Sequence, residues 1–303
     1  MVMDGFINVD KPKGMTSHDV VAIIRKQLPR KTKVGHTGTL DPDATGVLPI
    51  CVGKATRLAE YITGLPKTYC GELTLGVVTD SWDATGEVLA SCDASHITLA
   101  DVEALLPKFI GEIEQIPPML SAIKVNGQKL YQLARKGEEI VREPRKITIY
   151  GLDVVKSEFG IKNPKILFNI KCSKGTYIRS LFYDMGDALC VGGHMSALRR
   201  LAVGPFGIGS SNNLEDIKTK LIASETGCFL PMKMGVDHLP VLIIKNPDNY
   251  DDVLHGRAFK VDFPDTPICR IETADGILAG IASVENGCVL INKMLLSVEK
   301  ADN

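Results

Sequence analysis

Residues 35–57 read GHTGTLDPDATGVLPICVGKATR. The glycines of this stretch permit positive φ or a close approach of another backbone, while Pro42 fixes its own φ and favours an extended Asp41. The apolar run at residues 47–52 has to be buried, so it anchors the loop. The pattern therefore predicts a carboxylate on a stiff polar loop, which is how a functional site is preorganised.

The residue types alone leave the role of this loop open. An Asp before a Pro, among glycines, is also typical of a turn residue that bonds its own backbone. A phosphate-binding loop is a further interpretation, but neither GxxxxGK[ST] nor GxGxxG occurs in the stretch. Nucleotide binding is therefore weakly supported, and both the turn and the functional site remain interpretations of Asp41.

Motifs along the chain resemble the TruB-type pseudouridine synthases, which isomerise a uridine in the T loop of tRNA. Residues 35–57 match that family's signature, and further matches follow in the family's order: DKPKGMTS at 10–17, KTY at 67–69, GEIEQIPP at 111–118, CSKGTYIR at 172–179 and LRRL at 198–201. The similarity spans roughly residues 5–235. One departure is Asp43, where the family has an apolar residue; if this carboxylate faces Asp41, it raises the pKa of Asp41.

The resemblance implies a role for individual residues. It implies that Asp41 is the carboxylate that acts at C1′ of the ribose, with Arg179 as its cationic partner. Tyr69 is implied to stack on the flipped base and to accept the proton from C5. The other substrate contacts that the resemblance implies are His36, Tyr177, Leu198 and Lys11, although Lys11 also suits a bracing role in the signature loop.

Without the resemblance, the same residues have ordinary structural interpretations. Tyr69, Tyr177 and Leu198 are typical of a core, and Arg179 is typical of a solvated helix face. The isomerisation loses no atoms and changes no oxidation state, so neither a cofactor nor a metal is expected. The eight cysteines and six histidines are dispersed and show no zinc-ligand spacing.

The charge distribution bears on the binding partner. A net charge of −1 argues by itself against a polyanion, but residues 1–211 hold 26 basic and 22 acidic side chains, whereas residues 212–303 hold 9 and 14. The basic residues cluster in two groups: Lys11, Lys13, Arg25, Lys26, Arg30, Lys31 and Lys33, then Lys124, Lys129, Arg135, Lys136, Arg142, Arg145 and Lys146. Such runs are typical of a solvated surface, but with an RNA substrate they become phosphate contacts.

Hydrophobic periodicity predicts an α+β protein. Helices are predicted from Thr16 or Ser17 to Leu28, from Thr98 to Phe109 and from Tyr177 to Cys190, with strands at 69–78, 86–91, 147–157 and 165–172. After residue 236 the chain changes to short strands at 268–273, 277–283 and 288–292, joined by tight turns. The resemblance implies a mixed, mainly antiparallel sheet with flanking helices, followed by a small C-terminal β module that resembles a PUA domain.

These inferences define the expected organisation and function. Residues 1–235 are expected to form the catalytic domain, with an RNA-gripping insertion near 120–150, and residues 236–303 a PUA-like RNA-binding domain or a plain structural cap. The expected activity is isomerisation of uridine 55 in tRNA, by base flipping and an aspartate at C1′. The alternatives are a guide-RNA-dependent pseudouridine synthase, a tRNA-folding or RNA-binding protein, and a nucleotide-binding enzyme.

The expected partner is tRNA, held through its T arm, without an obligate protein partner, and the chain is expected to be a monomer. No run of 18 apolar residues and no basic-then-apolar N-terminal segment occurs in the sequence, so neither a membrane span nor a secretory signal is expected. The expected location is the cytoplasm.

Overall fold

The computed structural model describes residues 4–121, 124–125, 127–130 and 140–296. Within these residues the helices are α1 (Ser17–Lys26), α2 (Ala59–Thr63), α3 (Leu99–Leu105), α4 (Ile178–Ala188), α5 (Leu214–Ile222) and α6 (Pro247–His255). The strands are β1 (Gly5–Lys11), β2 (Val34–His36), β3 (Thr45–Val52), β4 (Lys67–Leu75), β5 (Val77–Thr79), β6 (Val88–Ser91), β7 (Gly111–Gln115), β8 (Lys124–Val125), β9 (Gln128–Lys129), β10 (Arg145–Glu158), β11 (Lys165–Cys172), β12 (Gly193–Val203), β13 (Phe206–Gly207), β14 (Asn212–Asn213), β15 (Val241–Ile244), β16 (Phe259–Lys260), β17 (Thr266–Thr273), β18 (Leu278–Glu285) and β19 (Cys288–Met294).

The main sheet has ten strands and is mainly antiparallel. Its order is β14-β1-β3-β12-β4-β11-β10-β7, with β13 paired to β12 and β2 paired to β3. Parallel pairing of β12 with β3 places Arg199 opposite Thr45 and Arg200 opposite Gly46. This contact brings the end of the signature loop against a strand that lies far away in the sequence, which no local pattern indicates.

The three helices that the sequence predicts, α1, α3 and α4, begin at the expected residues. Thr16 and Asp19 form a reciprocal capping box at the start of α1, and Thr98 and Asp101 form another at the start of α3. Pro107 lies in the short 3₁₀ turn that follows α3, since a proline cannot continue the hydrogen-bonding pattern of an α-helix. The α+β class and the predominantly antiparallel sheet are confirmed.

The C-terminal β module is also present. Its five strands follow the order β15-β17-β18-β19-β16 and enclose a separate hydrophobic core. The β18–β19 hairpin turns at Asn286 and Gly287, both with positive φ, as a tight hairpin requires. The module therefore has the small curled sheet expected of a PUA-like domain.

One hydrophobic cluster crosses the expected domain boundary at residues 235 and 236. Phe6, Leu58 and Ile62 share this cluster with Leu278 and Leu295 of the C-terminal module. All three residues before the boundary are completely buried. The division of the chain into two domains stays a prediction, and the packing shows that the two parts share a core.

Much of the insertion expected near 120–150 lies outside the described residues, including Arg135 and Lys136. In the part of the chain that the structure describes, no helix is both long and apolar enough to cross a membrane.

Candidate active site

The carboxylate of Asp41 and the guanidinium of Arg179 form an ion pair. Nη2 of Arg179 lies 3.1 Å from Oδ2 of Asp41, and the side chain of Arg179 is 6% exposed while that of Asp41 is 41% exposed. Arg179 is the second residue of α4 and is held inside the protein. The structure thus brings together the two residues that the sequence motifs pair, with the carboxylate accessible from solvent.

Further contacts fix the guanidinium of Arg179. Its Nη2 donates to the carbonyl oxygen of Leu120 at 2.9 Å, and its Nη1 donates to the carbonyl oxygen of Ser81 at 3.4 Å. Oδ2 of Asp83 lies 3.7 Å from Nη1. Because Arg179 is held from several directions, it presents its charge to Asp41 in one orientation.

The pKa of Asp41 is raised from its ordinary value. Burial is the main cause, and the nearby Asp83 adds to it, whereas Arg179 and Lys11 act in the opposite direction. The like charge beside Asp41 is therefore Asp83. Asp43 is exposed to solvent. It raises the pKa of Lys11, whereas burial, the larger effect, lowers that pKa. Arg179 is the main group that favours the ionised form of Asp41.

Lys11 supports the loop from beneath. It is completely buried, and its ammonium donates to the carbonyl oxygens of Pro12, Met15 and Pro42 at 2.9, 2.7 and 3.0 Å. All three hydrogen-bond donors of the ammonium are thus directed at backbone oxygens. This geometry matches bracing of the loop next to Asp41 and leaves no donor for a substrate.

The residues that flank Asp41 are fixed through their backbone. Leu40 donates its N–H to the hydroxyl of Ser17 at 2.9 Å, and Gly14 donates its N–H to the carbonyl of Pro42 at 3.0 Å. Ser17 opens α1, so the start of this helix is part of the loop's support. The carboxylate is therefore held on a backbone that is anchored on both sides.

Arg200 fixes the other half of the loop. It is 1% exposed, and its guanidinium donates to the carbonyls of Val47, Thr39 and Gly38 at 2.7, 3.4 and 3.2 Å. Gly46 has a φ of +100°, and a Cβ there would lie 2.2 Å from the carbonyl oxygen of Arg200. Only glycine allows this approach of the two backbones.

Tyr69 lies on β4 and is 9% exposed. Burial raises the pKa of its phenol, while a hydrogen bond with Arg200 acts in the opposite direction. Asp41 is close enough to act electrostatically on the same phenol. Tyr69 therefore stands beside the Asp41 loop as a protonated phenol with a fixed ring.

His36 lies in the signature loop and is half-buried. Its Nδ1 accepts the N–H of Gly38 at 3.3 Å, and its ring meets that of His18 edge-on at 5.1 Å. Burial lowers the pKa of His36, with smaller contributions from His18 and Arg200. The imidazole is therefore neutral near pH 7, with its proton on Nε2.

Tyr177 and Leu198 are half-buried. The backbone of Tyr177 is bound twice by Gln115: Nε2 donates to the tyrosine carbonyl at 3.0 Å, and Oε1 accepts the tyrosine N–H at 2.8 Å. This double contact sets the start of α4, two residues before Arg179. Leu198 packs against the core cluster that contains Tyr69.

Sequence reasoning missed three residues of this site: Asp83, Gln115 and Arg200. Alternation along β12 places Arg200 on the same face as Leu198, so the LRRL motif contained a signal for it. A buried arginine also needs several acceptors. Asp83 and Gln115 gave no such signal, because their contacts with Arg179 and Tyr177 arise from long-range packing.

In the described part of the chain, no group of three or more His, Cys, Asp or Glu side chains is placed to hold a metal ion. The chemistry available at the site is that of an ionisable carboxylate, a fixed guanidinium and an aromatic ring.

Solved structures share the fold that holds this site. A chain of the crystal structure of a Cbf5-Nop10-Gar1 complex superposes with a TM-score of 0.74 at 30% identity, covering 96% of this chain and 85% of that one. A chain from an H/ACA RNP bound to a substrate RNA containing 2'-deoxyuridine superposes with a TM-score of 0.73 at 27% identity, covering 97% and 85%. The fold of this chain is therefore the one shared by these two chains.

The family follows from the sequence comparisons. Residues 25–178 match the TruB family pseudouridylate synthase N-terminal domain, and residues 179–234 match the tRNA pseudouridylate synthase B C-terminal domain. A tRNA pseudouridine synthase B of Symbiobacterium thermophilum is 48% identical over 84% of this chain and 83% of its own length. One of Clostridium perfringens strain SM101 is 41% identical over 97% and 99%. The chain belongs to the TruB family of pseudouridylate synthases.

Proposed function

We propose that this chain is a tRNA pseudouridine synthase that isomerises uridine 55 in the T loop of tRNA. The observation that carries the proposal is the Asp41–Arg179 pair on the signature loop. Relatives named tRNA pseudouridine synthase B, at 41–52% identity, support tRNA as the substrate. The enzyme binds the T arm as a monomer, without an obligate protein partner, in the cytoplasm.

The reaction breaks the bond between N1 and C1′, turns the uracil and joins C5 to C1′. The proton leaves C5 and N1 gains one, so no atom and no electron is lost. The ionised carboxylate of Asp41 acts at C1′, either by direct attack on the sugar or by promoting a glycal intermediate. Arg179 favours the ionised form of Asp41, against burial and the charge of Asp83.

The target uridine has to leave its stack, which costs a few kcal/mol. Tyr69 offers its ring to the flipped base, with His36, Tyr177 and Leu198 as the surrounding contacts. Because the pKa of the Tyr69 phenol is raised, the ring is neutral and suited to stacking. To accept the C5 proton, the neutral Tyr69 phenol first has to give up its own proton, and Arg200 is the group whose charge and hydrogen bond favour the resulting phenolate against burial.

A second candidate is a pseudouridine synthase that depends on a guide RNA. It is favoured by the fold shared with the Cbf5 and H/ACA RNP chains, at 27–30% identity. The higher identity, 48% and 52%, to relatives named tRNA pseudouridine synthase B favours the first proposal.

One experiment separates these functions. The purified chain is incubated with an unmodified tRNA transcript, without other RNA or protein, and pseudouridine is mapped by its carbodiimide adduct. We expect one adduct at position 55 and none on a matched transcript with cytidine there. A requirement for added guide RNA would favour the second candidate, and RNA binding without any adduct would leave only a binding or folding protein.

A further inference from the structure

The end of strand β19, with Leu295 directly after it, lies against residues 53–63, which begin inside the signature stretch. Nη1 of Arg57 donates to the carbonyl oxygen of Met294 at 2.7 Å, and Nζ of Lys54 donates to that of Leu295 at 2.9 Å. Both donors belong to the 3₁₀ turn Gly53–Leu58. The end of β19 thus supplies backbone acceptors to a segment of the catalytic domain.

An ion pair extends this contact to α2. Nζ of Lys293 lies 2.6 Å from Oε1 of Glu60, which is in the first turn of α2. The C-terminal module therefore contacts consecutive turns of one short segment, which ends at Thr63.

Apolar side chains bury the other side of the same segment. Leu58 and Ile62 are completely buried and share a cluster with Ile281 and Leu295 of the module. Leu295 is itself 3% exposed. Removal of apolar area from water is the main stabilising contribution of such a contact. The segment is therefore packed against the module over its apolar side as well as its polar side.

The same segment is connected to the catalytic loop. Oγ1 of Thr63, the last residue of α2, lies 3.1 Å from the carbonyl oxygen of Thr37 and 2.8 Å from that of Ala59, and its single proton is shared between these two acceptors. Thr37 is followed by Gly38, whose carbonyl accepts a hydrogen bond from Arg200. Asp41 lies three residues after Gly38. Val47, which begins the apolar run after the loop, belongs to the cluster that contains Leu295. Contacts thus link the end of β19 and Leu295 to residues on both sides of Asp41: Thr37 before it and Val47 after it.

We propose that the C-terminal module is a positioning element of the active site: β19 holds residues 53–63 in place and thereby fixes the backbone that carries Asp41. This inference rests on the proposed function. Arg57 and Leu295 are positioning residues, because they reach Asp41 only through other residues. A module that only binds a distant part of the RNA would leave catalysis on a short T-arm hairpin unaffected.

The test compares two leucines that differ in what they pack against. Leu295→Ala removes a side chain between the module and residues 53–63, whereas Leu242→Ala removes one from the module's own core, at 6% exposure. The full-length variants are assayed on a T-arm hairpin, and amide hydrogen exchange is measured in peptides that cover residues 35–45. A displaced catalytic group lowers the rate of the chemical step, so we expect kcat to fall about tenfold in Leu295→Ala at unchanged KM.

We also expect faster exchange in residues 35–45 of Leu295→Ala and wild-type exchange in Leu242→Ala. Equal kcat and equal exchange in the two folded variants would overturn the proposal. If Leu295→Ala does not fold, Arg57→Met is compared with Arg257→Met, since Arg257 pairs with Asp251 and Asp252 inside the module. Arg57→Met has to show the faster exchange and lower kcat, and equality of this pair likewise overturns the proposal.

The exchange measurement separates this proposal from the proposed function. If the wild-type chain forms no pseudouridine, the proposed function fails, and the exchange in residues 35–45 still decides whether the module positions the loop.

Discussion

Replacement of Arg179 by methionine probes the electrostatics of the site. The change keeps an unbranched side chain of similar length but removes the guanidinium that lies 3.1 Å from Asp41. Because Arg179 opposes the effects of burial and Asp83, its loss raises the pKa of Asp41 further. If the enzyme needs ionised Asp41, the variant loses activity at a higher pH than the wild type as the pH is lowered. The acid limb of the pH–rate profile therefore shifts upward.

The contacts of Arg179 set the magnitude. Its bond to Asp41 is charge-assisted, a class worth about 1.5–3 kcal/mol. Asp41 is 41% exposed, so solvent weakens the pair and the lower half of that range applies. At about 1.4 kcal/mol for each factor of ten, the loss of Asp41 orientation alone lowers kcat about 10- to 40-fold. Loss of the donor to Leu120 adds to the change in stability, which thermal unfolding measures separately.

The assay is single-turnover pseudouridine formation on a T-arm hairpin across the acid limb. RNA affinity, measured in parallel, should change little, because contacts with phosphates dominate binding. Arg257→Met serves as the matched control, since that arginine pairs with Asp251 and Asp252 in the C-terminal module. An unshifted acid limb in a folded, measurably active Arg179→Met variant would refute the electrostatic role of Arg179.

Substitutions at three further positions test neighbouring parts of the site. Asp83→Asn removes a charge that raises the pKa of Asp41, so the acid limb should move to lower pH, opposite to Arg179→Met; a shift in the same direction would contradict this assignment. Tyr69→Ala should weaken RNA binding by about 1–3 kcal/mol because stacking is lost, whereas Tyr69→Phe should keep the wild-type affinity. Full activity of Tyr69→Phe would exclude the hydroxyl as the acceptor of the C5 proton. Arg200→Met leaves three backbone carbonyls without their donor, so the free energy of unfolding should fall by about 1–3 kcal/mol for each carbonyl that stays unsatisfied. An unchanged denaturant midpoint would disprove this role of Arg200.

Local sequence patterns predicted those parts of the site that lie within one motif. The glycines and Pro42 indicated a stiff loop around Asp41, and the motif at residues 172–179 placed Arg179 at the start of a helix, as observed in α4. Beyond the anchoring apolar run at residues 47–52 and the bracing role that suited Lys11, the sequence did not indicate what supports the loop. Arg200 reaches it through the register of β12 with β3, and Asp83 reaches Arg179 through a bridge with Met195. Such pairing between distant residues leaves no periodic pattern in the local sequence that would predict it.

The C-terminal module illustrates the same difference. Its hairpins were predictable because turn residues such as Asn286 and Gly287 determine the backbone locally. The change to short strands after residue 236 favoured a separate domain. The hydrophobic cluster shared by Leu58 and Leu295 was not predictable, since a buried residue does not reveal which element covers it.

The most direct test of the central claim is pseudouridine formation by the wild-type chain and by Asp41→Asn on an unmodified T-arm hairpin. The substitution keeps the size of the side chain and removes its charge. We predict a carbodiimide adduct at the position of uridine 55 with the wild-type chain. With Asp41→Asn we predict no adduct and nearly unchanged hairpin affinity. Appreciable turnover by Asp41→Asn would contradict the account, because the carboxylate would then not be the group that acts at C1′.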